Sequence, residues 1–178
     1  MKKKNKKKGT IKVSGAISSN MVVQREQAVR VWGSANQETG TIWGEFMGET
    51  KSAVMEEGGN WILEFSPHGA TLKPQKMKIY TEDGECVEFQ DILVGDVYFI
   101  TGQSNAELNL CACIAATPED KNNLSSDTIR LFTQTRDYVF NHPDLWGTPQ
   151  EDIVTPEWRW NKTTDETAYA FYSSAIRE

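Results

Sequence analysis

The chain has 178 residues, a mass of 20.1 kDa and a pI near 5.1, with a formal net charge of −6. Hydrophobic residues at 38% and charged residues at 25% place it among globular rather than disordered chains. No apolar run approaches 18 residues, and three cysteines cannot close a disulfide framework. A membrane-spanning helix, a disulfide-stapled miniprotein and a collagen or coiled-coil rod are excluded, leaving one ordinary domain or two small ones.

Charge is unevenly spread. Six of the nineteen basic residues lie in Lys2–Lys4 and Lys6–Lys8, so residues 9–178 set thirteen basic against 25 acidic residues, a body at −12. Such a body repels phosphate backbones, which bind through clustered Lys and Arg, so nucleic acid is not an expected partner. The basic head over residues 1–9 reads as a solvated, disordered tail. It resembles a signal-peptide n-region, but no apolar h-region follows, and the cytoplasm is the default localisation.

From Ile11 to about Val94 the text is short strands broken by turn residues. Met21–Val23, Ala28–Trp32 and Thr41–Met47 are β-branched or apolar runs, the last closed by Gly48. Lys51–Met55 leads through Glu57-Gly58-Gly59-Asn60 into Trp61–Phe65, where Trp61, Leu63 and Phe65 share one face at period two. Met77–Tyr80 and Cys86–Phe89 flank Asp83-Gly84, a hairpin dipeptide. This spacing, without helical periodicity, predicts an antiparallel β-sandwich over residues 10–93.

The pattern changes after Asp91. Ile92-Leu93-Val94, Gly95-Asp96 and Val97-Tyr98-Phe99-Ile100 form a near-continuous apolar stretch, as a strand buried on both faces of a parallel sheet requires. It ends abruptly in Thr101-Gly102-Gln103-Ser104-Asn105. A serine at the carboxyl end of such a strand sits where ligands bind in open α/β folds. A small residue beside it allows a sharp turn, and a helix starting just after it would aim backbone N–H groups at a developing oxyanion. Taken alone, Gly102-Gln103-Ser104-Asn105 is only a turn-forming tetrapeptide, and a serine N-cap is its plainer reading.

Beyond it, Ile129–Thr133 is a short strand candidate and Asn141–Asn161 a long loop bearing Pro and Trp. A final helix can be capped by Thr164 or Asp165, with Ala168, Phe171, Tyr172, Ala175 and Ile176 on one apolar face. That helix has no visible C-terminal signal, and the chain has room for only about two βα units of a doubly wound sheet.

Residues Gly95 to Asn105 resemble the first block of SGNH-type carbohydrate esterases, and of sialate O-acetylesterases in particular. Further blocks resemble the same family in order: Ser18–Arg25, Val29–Ala35, Asp127–Phe132 and Trp158–Ala175. The resemblance covers nearly all of residues 16–178. It implies an α+β chain in two parts, the β-sandwich at 10–93 and the truncated start of a flavodoxin-like α/β hydrolase domain at 94–178.

The implied activity is metal- and cofactor-free hydrolysis of acetyl esters on the hydroxyls of a sugar or sialic acid. Ser104 would be the nucleophile and its N–H part of the oxyanion hole, with Gly102, Gln103 and Asn105 shaping the loop. Ala106 departs from the family's Met, whereas Glu107 matches an acidic position with either a substrate or a structural role. Family members often act in secreted or periplasmic settings.

A serine needs a base in hydrogen-bond reach, and the family takes it from an Asp-x-x-His motif. His68 follows Phe65 and His142 follows Val139 at that spacing, so neither histidine fits. The family's later oxyanion-hole blocks also have no counterpart after Ser104. This chain alone is therefore expected to be weakly active or inactive, with a second polypeptide one source of the missing half. The rival reading is a non-catalytic glycan- or protein-binding sandwich with a vestigial hydrolase segment.

Other constellations are sparse. Cys111-Ala112-Cys113 lacks a second ligand pair at metal spacing. Trp32, Trp43 and Trp61 lie on strands, where core packing is expected. Trp146, Trp158 and Trp160 lie in or near the long loop and are the candidate substrate contacts.

Overall fold

The computed structural model describes residues 10–36, 40–102, 104, 108, 110–112, 119, 122, 124–132, 143, 152–153, 159–165 and 167. These residues are mostly β-strand with almost no helix. Ten strands are defined: β1 Ile11–Val13, β2 Val22–Gln24, β3 Val29–Ala35, β4 Thr41–Phe46, β5 Glu49–Val54, β6 Asn60–Phe65, β7 Thr71–Thr81, β8 Cys86–Gly95, β9 Ser126–Leu131 and β10 Asn161–Thr163. A 3₁₀ turn lies at Leu110–Ala112.

A three-stranded sheet has the order β1-β3-β6, and a five-stranded sheet the order β2-β8-β7-β4-β5. Period-two alternation sets their inner faces. In β6, Trp61, Leu63 and Phe65 are buried while Ile62 and Glu64 are exposed. Val29 and Val31 of β3, Ile42 and Phe46 of β4, Met77 and Ile79 of β7, and Ile92 and Val94 of β8 complete one shared core. The Phe46 and Phe65 rings meet edge to face across it at 5.7 Å. Gly44 lets the sheets approach closely, because a Cβ there would stand 2.7 Å from Leu63 Cδ1 and 2.8 Å from Phe65 Cζ.

The turns follow their residues. Met47 (φ 47°) and Gly48 (φ 82°) make the two-residue link between β4 and β5, with both φ values positive as a type I′ hairpin demands. Asp83-Gly84 lies in the β7–β8 connection, where the Gly84 N–H donates to the Thr81 carbonyl at 3.1 Å. In β8 the register advances by three residues between Phe89 and Ile92 while β7 advances by two. Asp91, at φ 57°, occupies that bulge.

The strand expected at 97–100 is not formed. The apolar stretch divides: Ile92–Val94 belongs to β8, is buried, and lies between β7 and β2. Val97, Tyr98, Phe99 and Ile100 are irregular and exposed. Burial on both faces needs neighbouring strands and covering elements, and none of the described elements flanks 97–100. The parallel pairing read into this stretch occurs three residues earlier, where β2 runs parallel to the end of β8 through Val22↔Leu93, Val23↔Val94 and Gln24↔Gly95.

β9 and β10 form a separate antiparallel pair. Residues 161–163 thus extend as a strand, where the sequence reading ended a loop. Asp165 and Thr167 are helical, and the cap is Thr164, whose Oγ1 accepts from the Thr167 N–H at 3.2 Å. The apolar face expected at Ala168, Phe171, Tyr172, Ala175 and Ile176 lies outside the described residues.

Among the described residues, contacts of Asp152, Trp160 and Asp91 bind this distal part to the sheets. The Asp152 carboxylate accepts from Ser14 Oγ at 2.5 Å and from the Gly15 N–H at 3.3 Å. Trp160 donates its backbone N–H to Ser18 Oγ at 3.2 Å and its indole N–H to the Ala16 carbonyl at 3.0 Å. Finally, Asp91 pairs with the buried Arg130 guanidinium at 3.4 Å and with Lys162. These cations hold the Asp91 carboxyl below its ordinary range, the Lys162 hydrogen bond most of all, against the opposing push of burial.

Candidate functional site

The site grows from the exit of β8. Beyond Gly95 the chain leaves the five-stranded sheet and is gripped by the last residues of β2 and the one after it. The Arg25 N–H donates to the Gly95 carbonyl at 2.8 Å. Arg25 Nε donates to Asp96 Oδ1 at 2.8 Å, an ion pair that raises the guanidinium pKa. Val97 N–H donates to Gln24 Oε1, also at 2.8 Å. Gln24 Nε2 in turn donates to the Arg25 carbonyl at 3.3 Å, which steadies the accepting amide. The pair is solvent-exposed, so each charged contact contributes little to stability on its own.

The segment then passes through the exposed residues 97–102 to Ser104. Ser104 is helical and exposed, and its carbonyl accepts from the Leu108 N–H at 2.8 Å, the i to i+4 bond of an α-turn. The turn expected from the serine-bearing tetrapeptide is therefore present at Ser104, although the strand expected before it is not. Gly102 is exposed beside it. Gln103, Asn105, Ala106 and Glu107 lie outside the described residues, as do Trp146, Trp158 and His142.

Trp160 is described, and it packs against the shared core with its ring 5.5 Å from Phe132. With its indole N–H bonded to Ala16, it acts in tying the distal segment to the sheets. Trp61 is buried and Trp32 partly buried against the core, as their strand positions predict. Trp43 instead stacks on Tyr80 at 6.2 Å on the outer face of the five-stranded sheet, with Lys78 Nζ 5.2 Å from the Tyr80 ring.

His68 stands within the sheet region. Its Nε2 is 3.6 Å from Glu49 Oε1, and its ring meets Phe46 edge-on. Burial pushes the Glu49 carboxyl up, but hydrogen bonds from Ser66 and Lys51 and the Lys51 charge together hold it below the usual range. Among the described residues no His, Cys, Asp and Glu cluster could hold a metal ion. No helix there is long and apolar enough to cross a membrane.

In the sequence Gln24 and Arg25 lie in one block and Asp96 in another, without an assigned role. The available signal is that two blocks 71 residues apart each carry polar side chains at a strand end. Nothing local shows that those side chains meet.

No protein-family model matches the chain. Among solved structures it shares its fold with a carbohydrate acetylesterase from Xanthomonas citri, at a TM-score of 0.79 and 22% identity, over 94% of this chain and 35% of that one. The fold is therefore like that of a carbohydrate esterase. Among curated proteins the chain is similar to the sialate O-acetylesterases of Pongo abelii and Homo sapiens, each 25% identical over 171 residues. Those alignments take in 90% of this chain and 31% of each relative. The chain spans about a third of the length of the curated relatives it matches and resembles part of a sialate O-acetylesterase.

Proposed function

We propose that this chain carries the nucleophile of a carbohydrate O-acetylesterase acting on acetyl esters of sugar or sialic acid hydroxyls. In this reading the two sheets are a β-sandwich that supports the start of an SGNH-type α/β hydrolase part. The observation that carries it is Ser104: an exposed serine in a helical turn, within a block resembling the family's nucleophile block.

Ser104 Oγ attacks the ester carbonyl, forms an acetyl-serine and releases the sugar hydroxyl; water then cleaves the acetyl group. Backbone N–H groups at the turn stabilise the oxyanion. The general base is supplied from outside the described residues, since His68, the histidine described, follows Phe65 rather than an aspartate at the family's spacing. It comes with the family's Asp-x-x-His motif, on a second polypeptide or on further chain. By itself the chain acylates slowly and turns over little.

Incubation with p-nitrophenyl acetate, followed by peptide mapping and steady-state assay, tests this. Acetylation concentrated on Ser104, and lost in Ser104→Ala, is the expected result. Acetylation spread equally over other hydroxyls overturns the nucleophile. A fast, Ser104-dependent steady-state rate overturns the external base.

A further inference from the structure

We infer that Gln24, Arg25 and Asp96 form a clamp that sets the direction in which the chain leaves the sheets toward position 104, making them positioning residues for the nucleophile. The inference rests on the reading of Ser104 above but is carried by separate geometry. Four hydrogen bonds converge on three consecutive residues, Gly95, Asp96 and Val97, and on their two partners in and after β2. Two of the four engage main-chain groups of the exiting segment, the Gly95 carbonyl and the Val97 N–H, and so fix backbone direction rather than a side chain.

The setting explains why such a clamp is needed. Residues 97–102 belong to no strand, and Val97, Tyr98, Phe99 and Ile100 are exposed. Packing therefore does not aim the segment. From Val97 to Ser104 the chain can reach roughly 25 Å if extended, so a small angular freedom at Asp96 becomes a displacement of several ångströms at the serine. A misplacement of about 1 Å can cost about a hundredfold in rate. The parallel pairing of β2 with β8 brings Gln24 level with Gly95, and this places the clamp at the last point where the sheet can hold the chain.

Gln24 is the central member. Its Oε1 accepts from Val97 while its Nε2 is held by the Arg25 carbonyl, so the amide can neither rotate nor flip without losing a bond. A glutamate there keeps the acceptor, whereas a leucine keeps the volume and removes it.

The test uses the whole chain with Cys111→Ser, Cys113→Ser and Ser104→Cys, spin-labelled at position 104 and at the exposed Cys86 near the start of β8. Electron–electron double resonance then reads the distance distribution between them. The expected result is one narrow distribution that widens about twofold in Gln24→Leu, less in Asp96→Asn, and is narrow again in Gln24→Glu, with all unfolding temperatures alike. Equal widths in every variant overturn the clamp, as does a broad distribution with Gln24 present.

Acetyl capture is measured in parallel on chains retaining Ser104. A width that responds to Gln24 without any acetylation of Ser104 leaves the clamp standing and removes the nucleophile. Acetylation of Ser104 that is equally fast in Gln24→Leu, with unchanged width, removes the clamp alone.

Discussion

Two apolar runs lie three residues apart and meet opposite fates. Ile92-Leu93-Val94 is buried, with Ile92 at 0% and Val94 at 1% exposure, while in Val97-Tyr98-Phe99-Ile100 Tyr98 is 83% and Phe99 88% exposed. Their composition does not separate them, since both are apolar and both read as strand. Their neighbours do. The first run has β7 on one side, β2 on the other and the three-stranded sheet across the core; among the described residues the second has the Gln24–Val97 hydrogen bond at its entrance and no flanking strand. Hydrophobic sequence marks a segment as able to form a strand, and partners decide whether it does.

The largest expected effect tests the buried side of that contrast. Ile92→Ala removes a fully buried side chain between two sheets and should destabilise the protein by about 2–5 kcal/mol in urea unfolding. Phe99, the most exposed residue of the other run, should show the smallest cost.

The close approach of the sheets can be challenged next. Gly44→Ala places a methyl 2.7 Å from Leu63 Cδ1, 2.8 Å from Phe65 Cζ and 3.1 Å from Ile79 Cδ1. Leucine and isoleucine can shift a terminal methyl, whereas the Phe65 ring is held by Phe46. Thermal unfolding should show a loss of about 1–3 kcal/mol. No loss would mean that the sheets are free to separate, and the rigid body on which the exit clamp depends would be in doubt.

Asp91 joins the compared regions to the distal part of the chain. Because its carboxyl is held below the ordinary value of 3.8, its contribution is complete above the unfolded pKa and is lost as pH falls through the folded one. Asp91→Asn keeps a side chain tolerated at positive φ and removes the charge facing Arg130 and Lys162. At pH 7 the variant should be less stable by about 1–2 kcal/mol, less than for a fully enclosed pair because the carboxylate is partly in solvent. The gap should narrow toward pH 3. A gap independent of pH would assign the contribution to shape rather than charge.

Much of the sheet region is legible in the sequence, and the reason is local. Alternation of Trp61, Leu63 and Phe65, or the Asp83-Gly84 dipeptide between two apolar runs, needs no knowledge of distant residues. β1 and β10 are different: each has three residues, and Asn161-Lys162-Thr163 has no apolar pattern, so its strand state comes from pairing with β9. Ser14 and Asp152 meet across 138 positions, and no local rule links them. At the candidate site the turn around Ser104 is legible from the residues that form it. The clamp depends on the register of β2 against β8, and the fate of 97–100 on which elements flank it, so neither could be read in advance.

Phe99 gives the smallest effect and the sharpest check. A side chain at 88% exposure has little contact to lose, so Phe99→Ser should leave the unfolding midpoint within about 0.5 kcal/mol of the parent. The same substitution removes the most exposed ring from a four-residue apolar run with high β propensity, the type of segment that pairs between chains. Light scattering on warming should therefore show later self-association at an unchanged unfolding midpoint. A stability loss comparable with that of Ile92→Ala would mean that Phe99 is buried in solution and that the two runs share one environment. Unchanged stability with reduced association would show instead that the second run keeps a strand-forming sequence whose pairing surface is left open where the chain turns toward Ser104.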